Sequence, residues 1–185
     1  MRRLALVILL LHAMPAWAMR QSAIELPGPA GVTLRAELFL PDTPATGPAI
    51  LGMHGCAGFR RPDGQVNALY RDWARLLTEQ GHAVLLPDSF ASRGQGEQCT
   101  MRERAILPGR ERRADAIAAS RWLAEQPFGG QGVVMMGWSH GGSTVMWTAG
   151  NPEGAPIIGY VALYPGCAAR PTGWACGARR RPCYC

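Results

Sequence analysis

Apolar residues recur along this chain with two distinct periods. In residues 32–40, Val32, Leu34, Ala36 and Leu38 alternate with Thr33, Arg35 and Glu37 between Gly31 and Pro41, which predicts an outer, half-exposed strand. Residues 49–53, 83–86 and 133–136 are instead short continuous apolar runs, as expected of parallel strands covered on both faces, and residues 157–164 supply one more. Between these runs the period lengthens. Leu69, Trp73, Leu76 and Leu77 share one face of a predicted helix over 66–80 that Gly81 stops, and Ile117, Trp122 and Leu123 mark another over 113–125. Residues 143–149 start a third, built from small side chains. Strand and helix alternate, so the predicted fold class is α/β: a mostly parallel sheet with helices on both faces, binding ligands outside the carboxyl ends of its strands.

Two segments lack period. Residues 88–108 form a long predicted loop, of a length usually functional or mobile, in a position to overhang those strand ends. Residues 1–18 begin with Arg2 and Arg3, continue through apolar residues 4–11 and close on Ala16-Trp17-Ala18. That pattern is a secretory signal peptide, and its apolar core falls far short of the roughly 20 residues that span a bilayer. Residues 19–167 are then one domain, followed by an irregular tail over 168–185, and the expected location is secreted or periplasmic, without membrane attachment after cleavage. No internal repeat is evident.

Composition narrows the partners. The chain carries 19 basic residues, all arginine, and a net charge of +6, or +4 without Arg2 and Arg3. The arginines alternate with acids in Arg102-Glu103-Arg104 and Arg110-Glu111-Arg112-Arg113, which predicts solvated helix faces, and no stripe of basic and aromatic residues points to nucleic acid. Cys56, Cys99, Cys167, Cys176, Cys183 and Cys185 would meet an oxidising compartment after export, so disulfides or free thiols are expected. Cys183-Tyr184-Cys185 is too crowded for a zinc pair, and no metal or cofactor is expected.

The candidate chemistry lies in Gly137-Trp138-Ser139-His140-Gly141. A GxSxG match alone is weak in a chain with 23 glycines. Here an apolar run precedes it and a small-residue helix start follows, which is the strand, turn and helix that a nucleophile elbow requires. The glycines are needed because the turn is strained and any Cβ there would meet neighbouring backbone.

Four stretches in order, His54-Gly55-Cys56-Ala57-Gly58, Leu86-Pro87-Asp88-Ser89-Phe90-Ala91-Ser92-Arg93-Gly94, the elbow through Gly142, and Tyr164-Pro165-Gly166-Cys167, resemble the dienelactone hydrolase family of the α/β-hydrolase superfamily. The resemblance covers about residues 32–167. It implies a carboxylic ester or lactone hydrolase in which Ser139 attacks a small-molecule carbonyl and an acyl-enzyme is then hydrolysed. The family's namesake uses cysteine at this position, so the resemblance is to serine members. It further implies oxyanion donors at the backbone N–H of Cys56 and His140, whatever the Cys56 thiol does. The His140 side chain, adjacent to the elbow serine, would project away from Oγ and is not the base. A structural role through ring hydrogen bonds is expected for His54, and a surface position for His82. Arg93 either binds a substrate carboxylate or pairs within its loop with Asp88 or Glu97.

The pattern breaks after the elbow. The superfamily's acid and histidine follow the nucleophile, yet beyond Ser139 this chain has no aspartate, one acid in Glu153, and one histidine in His140. Asp42, Asp63, Asp72, Asp88 and Asp115 all precede it. Residues 168–185 mix Arg, Ala, Gly, Pro and Cys without period, so the sheet is expected to lack its last strands. Such a tail suits a shifted reading frame near residues 171–173, the alternative being a genuine short member with a disulfide-stapled tail. Three readings follow: a hydrolase in incomplete form, a non-catalytic fragment or binding module retaining part of the fold, and a peptidase of related fold.

Overall fold

The continuous apolar runs occupy the middle of the sheet. A computed structural model of the protein describes residues 19–166. Its strands are β1 (Arg20–Pro27), β2 (Thr33–Leu40), β3 (Ala49–Met53), β4 (Val84–Pro87), β5 (Val133–Trp138) and β6 (Ile157–Leu163). Its helices are α1 (Ala68–Glu79), α2 (Glu111–Ala124) and α3 (His140–Gly150). The sheet order is β1-β2-β4-β3-β5-β6; β1, β2 and β4 pair antiparallel in turn, and β4, β3, β5 and β6 are parallel. The signal-peptide and tail expectations lie outside the described residues.

Alternation along the central strands assigns the two faces. Leu51, Met53, Leu85, Val133 and Met135 point to one side, where α2 contributes Ala116, Ala119 and Leu123 and α3 contributes Val145. Ile50, Val84, Leu86, Met136 and Trp138 point to the other, against Tyr70 and Ala74 of α1. Full burial of each such aliphatic side chain is worth about 1.5–3 kcal/mol. Asn67 caps α1 by accepting from the Leu69 N–H at 3.1 Å.

Two expectations change. Strand 32–40 is not outermost: β1, whose pattern is almost wholly exposed, covers it, and β2 is buried through residues 36–39. The mixed-charge run at residues 110–113 is not uniformly solvated either, because Arg112 has no exposed surface. Among the described residues no helix is long and apolar enough to cross a membrane, and no cluster of three or more His, Cys, Asp or Glu is arranged to hold a metal ion.

The order β4-β3-β5 puts the crossover direction change at β3. The chain leaves β3 toward α1 on one face and reaches β5 from α2 on the other, so a crevice opens beyond the carboxyl ends of β3 and β5.

Candidate active site

Ser139 links β5 to α3 with φ 53° and ψ −115°, a conformation costing about 1–3 kcal/mol for a non-glycine residue. The flanking glycines make this turn possible. A Cβ on Gly141 would collide with the Met53 carbonyl oxygen, one on Gly137 with the Gly141 carbonyl, and one on Gly142 would lie 2.7 Å from the Leu163 oxygen. Backbone atoms cannot yield as a flexible side chain can, so these positions admit only glycine. The Ser139 N–H donates to the Leu163 oxygen at 3.0 Å, tying the elbow to β6.

The turn after β3 comes up beside it. A Cβ on Gly55 would be 3.7 Å from Ser139 Cβ. The Gly55 N–H donates to the Tyr70 hydroxyl at 2.8 Å, which holds the turn against α1. His140 opens α3, where first-turn N–H groups have no intrahelical acceptor. Cys56, Ser139 and His140 line one hollow of about 350 Å³ with Arg104, Pro108, Ser143 and Gly166. Residues bearing two backbone N–H groups and a hydroxyl thus border one space, and these are the groups needed to receive a carbonyl and the negative charge that develops on its oxygen.

The loop over 88–108 reaches this hollow through Arg104 and Pro108, and it is held. A disulfide joins Cys56 to Cys99, one of the 15 pairings that six cysteines allow. Buried Gln98 donates its N–H to the Cys56 oxygen at 2.7 Å, accepts from the Ala105 N–H through Oε1, and accepts Arg104 Nε at its own carbonyl at 2.9 Å. These bonds place the Arg104 guanidinium on the hollow.

Arg93 is not on it. Its Nη1 and Nη2 reach Asp115 of α2 at 2.7 and 2.6 Å, and Nη1 also donates to the Ser89 oxygen. A fork closed on a fully buried carboxylate has no donor pair to offer a substrate, and its partner is neither Asp88 nor Glu97. Burial raises the Asp115 carboxyl above the ordinary range, while the bonds from Arg93 oppose this.

The buried histidines take opposite tautomers. His54 Nδ1 donates to the Gly55 oxygen at 2.8 Å, leaving Nε2 unprotonated and 3.8 Å from Asp88 Oδ1. His140 Nδ1 instead accepts from Arg112 at 2.7 Å, since a guanidinium only donates. Burial, then the Arg112 charge, lowers both histidines, His140 to about 3, so each is neutral near pH 7. His82 lies at the far end of the sheet and is half-buried rather than on the surface, with Nδ1 donating to the Pro48 oxygen at 2.7 Å. Glu153 is at the surface with Arg113 at 2.6 Å.

Arg104, Gln98, Arg112 and Asp115 carry no motif. A signal for two of them existed. Arg112, Asp115, Ala116, Ala119, Ser120 and Leu123 fall on one helical stripe, and all are buried.

Against known proteins, residues 70–154 match the prolyl oligopeptidase family, the segment from α1 through the elbow helix. No curated protein shows significant sequence similarity to the chain. Among solved structures, a protein described as a dienelactone hydrolase from Klebsiella pneumoniae is 19% identical with a TM-score of 0.61, covering 80% of this chain and 60% of its own. A dienelactone hydrolase-like promiscuous phosphotriesterase from metagenomic libraries is 22% identical with a TM-score of 0.62 over the same shares of the two chains. A dienelactone hydrolase from Anabaena variabilis is 21% identical with a TM-score of 0.56, over 77% of this chain and 62% of its own. The fold is that of the dienelactone hydrolase-like α/β-hydrolases. The chain spans about 60% of the length of these structures.

Proposed function

We propose that this protein is an exported serine hydrolase of small carboxylic esters or lactones, represented here by the elbow half of its active site. The observation that carries the proposal is Ser139 at φ 53°, on a turn whose glycines face backbone on three sides, beside a second turn with Cys56 in the same hollow. In the reaction Ser139 Oγ forms a bond to the substrate carbonyl carbon and its proton passes to a base. The Cys56 and His140 N–H groups stabilise the oxyanion, the alcohol departs with a proton, and water releases the acid from the acyl-enzyme. Among the described residues Arg104 is the one charged side chain on the hollow, so it favours substrates with a negative group beside the scissile bond. The disulfide and the leader-like residues 1–18 support an oxidising location.

Base and acid are not met among the described residues. His140 accepts from Arg112 at Nδ1 and so already carries its proton at Nε2, His54 is buried and does not line the hollow, and His82 lies at the opposite end of the sheet. The proposal therefore includes further strands carrying an aspartate and then a histidine, encoded in another frame beyond codon 167. The 185-residue chain alone is expected to turn over p-nitrophenyl esters slowly, with Ser139→Ala changing the rate little. Restoring the frame is expected to raise the rate, and Ser139→Ala then to lower it by about 10³-fold or more. A restored enzyme indifferent to Ser139→Ala would overturn the nucleophile assignment, and the absence of such strands in every frame would overturn the frameshift. The match over residues 70–154 favours a second reading, peptide-bond hydrolysis. Proline-containing peptide anilides cleaved faster than esters by the restored enzyme would select it.

A further inference from the structure

Arg112 heads the fully buried side chains by volume, and neither of its close partners is an acid. Nη1 donates to His140 Nδ1 and Nη2 to the His54 carbonyl oxygen, both at 2.7 Å, while the Phe90 ring centroid lies 5.1 Å from the guanidinium carbon. The nearby Asp115 has both oxygens on Arg93. Removing a guanidinium from water costs several kcal/mol, and an apolar side chain of similar volume would fill the space without that cost. What an apolar side chain could not do is join the two segments Arg112 touches. His54 follows β3 two residues before Cys56, and His140 follows Ser139 at the start of α3.

We infer that Arg112 is the positioning residue of the oxyanion site: its planar fork sets the separation of the Cys56 turn from the start of α3, and locks His140 as the Nε2–H tautomer. Only the word oxyanion rests on the proposed function. The clamp is a matter of which segments are bridged. The fork suits the task because its two donors are held in one rigid plane, whereas a lysine ammonium would reach as a point. The charged and titratable groups around the pair are Arg104 from the overhanging loop, His54 after β3, Tyr70 of α1, Asp88 after β4 and Asp115 of α2.

The test reads ring protonation and local exchange in the intact chain. Imidazole ¹⁵N resonances near pH 7 should show His140 with an unprotonated Nδ1 and a protonated Nε2, and His54 with the reverse. In Arg112→Met the His140 tautomers should mix, and amide hydrogen exchange should rise about tenfold or more over residues 54–57 and 139–142 relative to β4, the loss expected for hydrogen bonds to a charged group. Arg112→Lys should protect one of the two segments and not both. A proton on His140 Nδ1 in the unmodified chain would overturn the inference, even if Arg112→Met fails to fold. So would exchange that rises uniformly through the sheet, which would make Arg112 a core residue and nothing more. Turnover enters none of these readings, so the clamp and the hydrolase proposal fail independently.

Discussion

β3 and β6 flank the same strand, pair with it in the same parallel sense, and are both uncharged apolar runs, yet they have opposite environments. All five residues of β3 are buried, between β4 and β5 with helices over both faces. In β6, Ile158 is 63% exposed and Tyr160 and Val161 are each 36% exposed, with β5 on one side and α3 packed against the strand. Apolar content therefore says that a strand belongs in a sheet, and its neighbours say whether it is buried. The site lies on the β3–β5 seam, the side where both faces and the overhanging loop are held. Among the described residues β6 is an uncharged edge, whose unpaired backbone groups can accept a further strand.

The contrast is most directly broken by trimming each strand. Leu51→Ala in β3 is expected to destabilise the fold by about 2–5 kcal/mol, the cost of a cavity in a packed core. Ile158→Ala in β6 should change stability by less than about 0.5 kcal/mol, as at an exposed surface. Urea unfolding followed by circular dichroism compares them, and equal losses would erase the distinction. Next in size is the staple on the held side. Cys99→Ser should cost about 2–4 kcal/mol and open residues 94–105 to proteolysis, whereas β6 is untouched. Cleavage rates unchanged in that loop would show that Gln98 and Arg104 hold it unaided. A smaller effect than the staple's concerns the elbow itself. Ser139→Gly should raise stability by about 1 kcal/mol, because glycine accepts φ 53° without strain. A loss in thermal melting would mean that the turn is relaxed around serine.

How much of this was legible follows from which signals are local. Residues 49–53 match β3 as observed, and 66–80 and 113–125 find α1 and α2 within a few residues, because a continuous run or a 3.6-residue stripe is written in consecutive positions. The Ser139 turn was legible because its glycines are fixed offsets from the serine. β1 was missed because its pattern is nearly all exposed, with Leu26 its one buried residue. Both expectations for Arg93, a substrate carboxylate or a partner in its own loop, miss Asp115 because it lies 22 residues away on another element. Arg112 was assigned to a solvated face by the charges beside it, although its own helical stripe is buried.

The sequence by itself determined the alternation of strand and helix, the elbow and its serine, and the lack of any later aspartate or second histidine. Those are properties of residue type and near spacing, which covalent geometry translates directly into local structure. Only the tertiary structure decided that Cys56 pairs with Cys99, that Arg104 rather than Arg93 reaches the hollow, and that Arg112 joins the segments of His54 and His140. Each of these is a choice among partners far apart in the chain, made by the packing of the sheet and helices that carry them.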